Sequence, residues 1–305
     1  MLQNNPAVAK ISKSLVGKIL RELKKVSEKN ADGYKSFWKE YGAVLKEGLY
    51  EDAERKEALL DLCRFSTNEN DDPISLSEYV EKMPEKQKDI YYISAETKDQ
   101  ALASPHLEGF KSKKIPVLIM TDAIDQFWLP MVGSFKEKKF TSITQGQINL
   151  DDLDEKNKDK KKDDKNEKEK KDKEYVDLVA QLKVVLGDQV KDIRLSSKLT
   201  DSPVCLVADE GDMDIAMEQL MAQRDTNYKG APRILEINGD HSLIKNMKSL
   251  LSKKENNDLV SDAGTLLFEQ ARLMEGKMPA DPAQFSKIMN QFLLKAIPNL
   301  SLIHI

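Results

Sequence analysis

Five residues carry the side chains from which a metal centre, a redox pair or a nucleophilic relay would be built, and their spacing supports none of these. Cys63 and Cys205 lie far apart, outside any Cys-x-x-Cys or Cys/His pattern, and His106, His241 and His304 are scattered along 305 residues. Buried, inert thiols and structural or incidental histidines are the expectation for all five, with no metal site. The 13 glycines form neither a Walker loop nor a dinucleotide fingerprint, so these residues build no nucleotide site of their own.

The chemistry left to the chain is apolar contact. Met213, Met217, Leu220 and Met221 fall at i, i+4, i+7 and i+8, which places a flexible thioether row along one side of a helix. Ordinary core packing is one use of such a row and an adaptable binding surface is another; spacing alone leans to the core. Phe127 and Trp128, just ahead of Pro130, pose the same choice between core and exposed anchor.

The elements that position these residues follow from periodicity. Val8, Ile11, Leu15, Ile19 and Leu23 predict one buried face of a helix running from Pro6 to Ser27. A second helix is expected over Tyr34 to Lys46, with Phe37, Trp38, Tyr41, Val44 and Leu45 as its face, and a third over Arg55 to Cys63. From Ser75, which forms a capping box with Glu78, helices alternate with short β-branched and aromatic runs. Strands at Ile90 to Ile93, Val117 to Met120 and Phe140 to Ile143, with helices at Thr97 to Ala103 and Ile124 to Val132, predict an αβα layer.

Between Asp154 and Glu174 every position except Asn157 and Asn166 is charged, with acids and bases nearly balanced. Such a stretch buries too little apolar surface to offset the entropy of ordering, so it reads as a solvated tether or frayed helix. The interleaved carboxylates repel phosphate about as well as the lysines attract it, which argues against a nucleic-acid role. Three parts result: 1–150, made of a helical coil (1–66) and an αβα layer (67–150); a linker over 151–174; and 175–305. The last part alternates again, with a helix at Tyr175 to Leu186, strands at Val190 to Leu195, Val204 to Val207 and Ile234 to Ile237, and a helix at Met213 to Arg224. It then runs out in helices at Ser242 to Leu251, Asn257 to Leu273 and Asp281 to Leu300. The fold class is α/β in the broad sense (α+β).

The final two helices carry Leu266, Leu267, Phe285, Ile288, Met289, Phe292 and Leu293, a wider apolar surface than one small sheet requires. The pattern favours an isologous four-helix interface between two copies over an intramolecular core. Hydrophobic residues at 40%, charged residues at 33% and a net charge of −4 describe a heavily hydrated protein without general affinity for nucleic acid or anionic lipid. No apolar run approaches a membrane span and the first ten residues lack a signal-peptide core, so the cytoplasm is the expected compartment.

Several long strings are distinctive: YKSFWKEYGAVLKEGLYED from Tyr34, LCRFSTN from Leu62, SLSEYVEKMPEKQKDIYYIS from Ser75 and SPHLEGFKSKKIPVLIMTDAIDQF from Ser104. LGDQVKDIRLSSKLTDSPVCLV from Leu186 and LEINGDH from Leu235 follow past the charged stretch. In these strings the chain resembles the heat-shock protein 90 chaperone family in its bacterial branch. The resemblance implies the later part of a middle domain followed by a carboxy-terminal dimerisation domain, with a GHKL-type ATPase domain lying outside these residues. Met1, Leu2 and Gln3 match the end of the family's catalytic-loop motif Arg-Glu-Met-Leu-Gln, so Gln3 is the remnant of an ATP-contacting loop whose arginine is not among these residues. ATP and magnesium are therefore expected only with the missing domain, and the chain alone is expected not to hydrolyse ATP. The family further implies non-native client proteins as partners, met by Phe127 or Trp128 and by Met213 and Met217, with Leu220 and Met221 beside them, on a homodimer. Cochaperones of the bacterial DnaK system are further expected partners, and an alternative role is a structural module that pairs two ATPase domains.

Overall fold

A computed structural model of the chain describes residues 6–70, 72–153, 161–225, 228, 230–252 and 254–297; at 9, 151–152, 161–169 and 254 only the backbone is described. Two compact units emerge, Met1–Ala103 with Phe110–Ile143, and Ser104–Gly109 with Thr144–Ile305.

The first unit starts with a helical coil: α1 (Pro6–Lys29), α2 (Ala31–Glu51) and α3 (Lys56–Leu62). Asn30 separates the first two helices, and its side chain caps the second by accepting a 3.0 Å hydrogen bond from the Gly33 N–H. Leu20, Tyr34, Leu49, Leu59, Leu60 and Leu62 close the coil's core. The face of α1 expected to be buried is not: Val8, Ile11, Leu15 and Ile19 are exposed and Leu23 is half-buried, while Leu20 turns inward with Val16 and Leu23 against it. Apolar residues occupy more than one stripe of this helix, and periodicity reveals a greasy face without revealing which neighbour covers it. Tyr41 and Val44 of α2 are likewise exposed.

The coil leads into β1 (Ser66–Thr67), α4 (Leu76–Lys82), β2 (Ile90–Ser94), α5 (Lys98–Leu102), α6 (Glu108–Ser112), β3 (Leu118–Met120), α7 (Asp125–Val132), β4 (Ser134–Phe135) and β5 (Lys138–Ser142). The capping box forms: Ser75 Oγ accepts from the Glu78 N–H, and Glu78 accepts in return from the Ser75 N–H at 2.7 Å. The sheet order is β1-β3-β2-β5-β4, with a parallel centre and antiparallel edges. A parallel centre needs crossovers, which is why the short strands of the sequence alternate with helices.

The second unit contains α8 (Lys161–Leu186), β6 (Val190–Leu195), β7 (Val204–Val207), α9 (Ile215–Arg224), β8 (Arg233–Ile237), α10 (Ser242–Leu250), α11 (Asn257–Met274) and α12 (Pro282–Ala296). Its sheet runs β6-β8-β7, parallel between β6 and β8 and antiparallel between β8 and β7. Tyr175, Leu178, Leu182 and Leu186 repeat every three to four residues along α8 and meet Val260, Leu267 and Phe268 of α11 in one core. Gly264 makes that crossing close, since a Cβ there would lie 2.3 Å from Leu182 Cδ2. The end of the charged stretch is the first part of α8, where Lys171 pairs with Asp240 at 2.5 Å and Glu174 with Lys248 at 2.8 Å.

Candidate functional site

In the first unit α7 carries the aromatic pair. Trp128 is fully buried, its indole N–H donating to Asp125 Oδ1 at 2.7 Å and its ring between Phe65 and Phe140. The expectation that it could stand exposed is corrected: a polar partner three residues earlier on the same helix lets the indole enter the core without an unpaired donor. Asp125 is itself held by Lys46 at 3.0 Å, and Lys46 also reaches Asp122 at 2.8 Å. Burial pushes the Lys46 ammonium down, but Asp125 and Asp122 outweigh it and hold the group above the ordinary lysine range.

Phe127 faces the other way. It is half-buried, its ring edge-on to Tyr50 at 6.1 Å, and Tyr50 is exposed. Met131, four residues on, is 57% exposed. Tyr50 and Met131 were missed by sequence reasoning; Met131 carried a usable signal, since i and i+4 share a helix face.

In the second unit Asp214 caps α9, accepting from the Ala216 N–H at 3.0 Å. Of the helix's 10 residues only Ile215 and Glu218 are buried. Met213 is 39% exposed just before the cap, and Met217, Leu220 and Met221 are half-buried. The thioether row thus lies at the surface of the chain, not within a closed core.

The end of the unit presents a second apolar surface. Asp281 caps α12 by accepting from the Ala283 and Gln284 N–H groups, and Ile288 is the one buried residue of the helix. Phe285 and Phe292 are half-buried, while Met289, Leu293, Leu294 and Ile297 are exposed. Two of the residues expected at a dimer interface are corrected, because Leu267 and Ile288, at 5% and 4% exposure, already fill the chain's own core. Leu266 is half-buried, and Leu294 joins the face although the sequence reading passed over it.

The residues that could have done covalent chemistry are sealed. Burial pushes the Cys63 thiol up to about 12 and the Cys205 thiol well above its usual range. His106 is pushed down to about 3 by burial and by the Lys198 ammonium, and its Nδ1 has no hydrogen-bond partner among the described residues. No group of three or more His, Cys, Asp or Glu among the described residues is placed to hold a metal ion, and no described helix is long and apolar enough to cross a membrane. Gln3 lies outside the described residues.

A family model described as "Hsp90 protein" matches residues 1–301. The chain is 42% identical over 299 residues to a protein named Chaperone protein HtpG from Roseobacter denitrificans, covering 97% of this chain and 48% of that protein. It is 41% identical over 297 residues to the protein of that name from Paramagnetospirillum magneticum, covering 97% and 47%, and 39% identical over 304 residues to that from Wolbachia pipientis wMel, covering 96% and 46%. The chain thus spans about half the length of these relatives.

Proposed function

Because the chain belongs to the Hsp90 family, we propose that it serves a molecular chaperone, working in the cytoplasm, as the part that holds non-native client proteins on a homodimer. The observation that carries this reading is α9, a helix with two buried residues whose methionine row lies at the surface. Thioethers adapt to many shapes, so a row of them suits partners that share only exposed apolar surface. Each patch contributes on the order of 25 cal/mol per Å² buried, which gives weak, sequence-tolerant binding. Pairing two copies through the uncovered face of α12 then raises affinity by effective concentration. ATP and magnesium enter this scheme only with a GHKL-type domain outside these residues, and cochaperones of the DnaK system would meet the assembled protein.

Replacing Met213 and Met217 together by Ser tests the reading. Suppression of aggregation of a chemically denatured test enzyme is expected to fall several-fold while circular dichroism and oligomeric state stay unchanged. Undiminished suppression would remove α9 from client contact. A second reading, a module that pairs two ATPase domains, draws on the same α12 face and is separated from the first by replacing Leu293 and Ile297 with Glu.

A further inference from the structure

We propose that Glu218 is a positioning residue, a buried carboxylate that latches α9 to the turn between α11 and α12 so that the methionine row and the chain's terminal helices move as one piece. The inference rests on the client-holding role of α9 for its functional meaning, and on the geometry below for the latch itself.

A helix that buries only Ile215 and Glu218 has little apolar area to hold it in place. Polar contacts do that work instead. The Glu218 carboxylate, 4% exposed, pairs with the Arg233 guanidinium of β8, accepts from the Ala231 N–H at 2.6 Å and lies 3.7 Å from Lys277 Nζ. Arg233 also donates from Nη1 to the Met213 carbonyl at 3.2 Å, so one guanidinium grips α9 both at its entry and one turn in. Gly230, at φ +67, leaves room for the carboxylate; a Cβ there would lie 2.3 Å from Glu218 Oε1.

The next residue extends the connection to the far turn. Gln219 Nε2 donates to the Glu275 carbonyl at 2.7 Å, and the Glu275 carboxylate reaches Lys277 at 3.2 Å. That turn is itself bound to α11: Glu269 accepts from the Ala280 N–H at 3.1 Å, and Arg272 donates to the Met278 carbonyl at 3.0 Å. A displacement of α11 and α12 is therefore delivered to α9 through Lys277 and Gln219. Directional charged contacts suit such a role, because they fix a geometry without adding the apolar burial that would make the helix immovable.

Hydrogen exchange of the full chain, read by mass spectrometry for Glu218→Gln, tests the latch. Amides of 215–224 should exchange at least tenfold faster, while those of β6, β7 and β8 keep their rates. Gln219→Ala with Lys277→Met, which leaves both Glu218 and Arg233 in place, should accelerate the same segment and serves as the test if Glu218→Gln does not fold. Unchanged exchange over 215–224, or acceleration spread evenly over the whole second unit, would overturn the latch. Binding of reduced, carboxymethylated lactalbumin is measured alongside. If exchange responds and Met213→Ser with Met217→Ser leaves that binding intact, the latch stands and the client reading of α9 falls.

Discussion

The Trp128 indole N–H and the Asp125 carboxylate, one helical turn apart on α7, are joined by a 2.7 Å hydrogen bond inside the first unit. This single pairing separates two neighbouring aromatics, Trp128 buried in the core and Phe127 half-buried at its edge. Trp128→Phe removes the indole donor from Asp125, leaving Lys46 on that carboxylate, and opens a gap beside Phe65 and Phe140; it is expected to cost about 2–4 kcal/mol in urea unfolding. Phe127→Ala, on the half-buried side beside Tyr50, should cost clearly less in unfolding and lower client holding instead. Equal stability losses for the two would contradict this division.

Lys46 is the sole cation the described contacts place on Asp125, and both side chains are nearly inaccessible. Removing the ammonium by Lys46→Met strands a buried carboxylate, with an expected loss of about 3–5 kcal/mol at neutral pH. Since the folded-state value of Lys46 is raised, its contribution is complete below the unfolded lysine value and disappears as pH climbs through the higher folded one. Wild type and variant should therefore converge in stability at strongly alkaline pH, which chemical denaturation can follow.

For His106 the sign is opposite to that of a histidine with an acidic partner. Its folded-state value is held at about 3, below the unfolded value of about 6.5, so the unfolded chain takes up the proton first. Stability should fall with acidification by about 1.4 kcal/mol per pH unit below about pH 6.5, down to about pH 3. His106→Leu should remove that increment from the wild-type slope between pH 6.5 and 4.5; identical slopes would show that the imidazole is not sealed as described.

Leu293 on α12 and Ile297 at its C-cap are the exposed pair best suited to separate assembly from folding. Replacing both by Glu should shift sedimentation from dimer to monomer with less than about 1 kcal/mol change in monomer stability, because neither contributes to the core. Client holding should weaken through lost avidity yet persist. Complete loss of holding together with the dimer would favour the module that pairs ATPase domains.

The legible parts of the chain are those in which a local rule and the tertiary environment agree. Ser75 and Glu78 announce a helix start and make one. The helix expected at Tyr175 to Leu186 forms the later part of α8. The αβα alternation likewise anticipates the parallel centre formed by β3, β2 and β5. Failures occur where the answer depends on a neighbour. Val8, Ile11, Leu15 and Ile19 have helical spacing but nothing in the described chain covers them, and Leu267 and Ile288 satisfy the pattern of an interface while serving a core. Trp128 was decided by Asp125, which stands in plain view in the string DQFW; a buried donor needs an acceptor, and the acceptor was three positions away. Glu218 gave no sequence signal, since a glutamate on a helix is ordinarily solvated and only Arg233, Ala231 and Lys277 draw it inside.

The burial of Cys63 and Cys205 has a practical corollary. Neither sulfur forms a thiolate near neutrality or meets solvent, so maleimide dyes and mild oxidants should pass both by in the native protein. A cysteine introduced at the exposed Met131 or Leu294 would then be the reactive handle, taking a single dye without altering the native sulfurs.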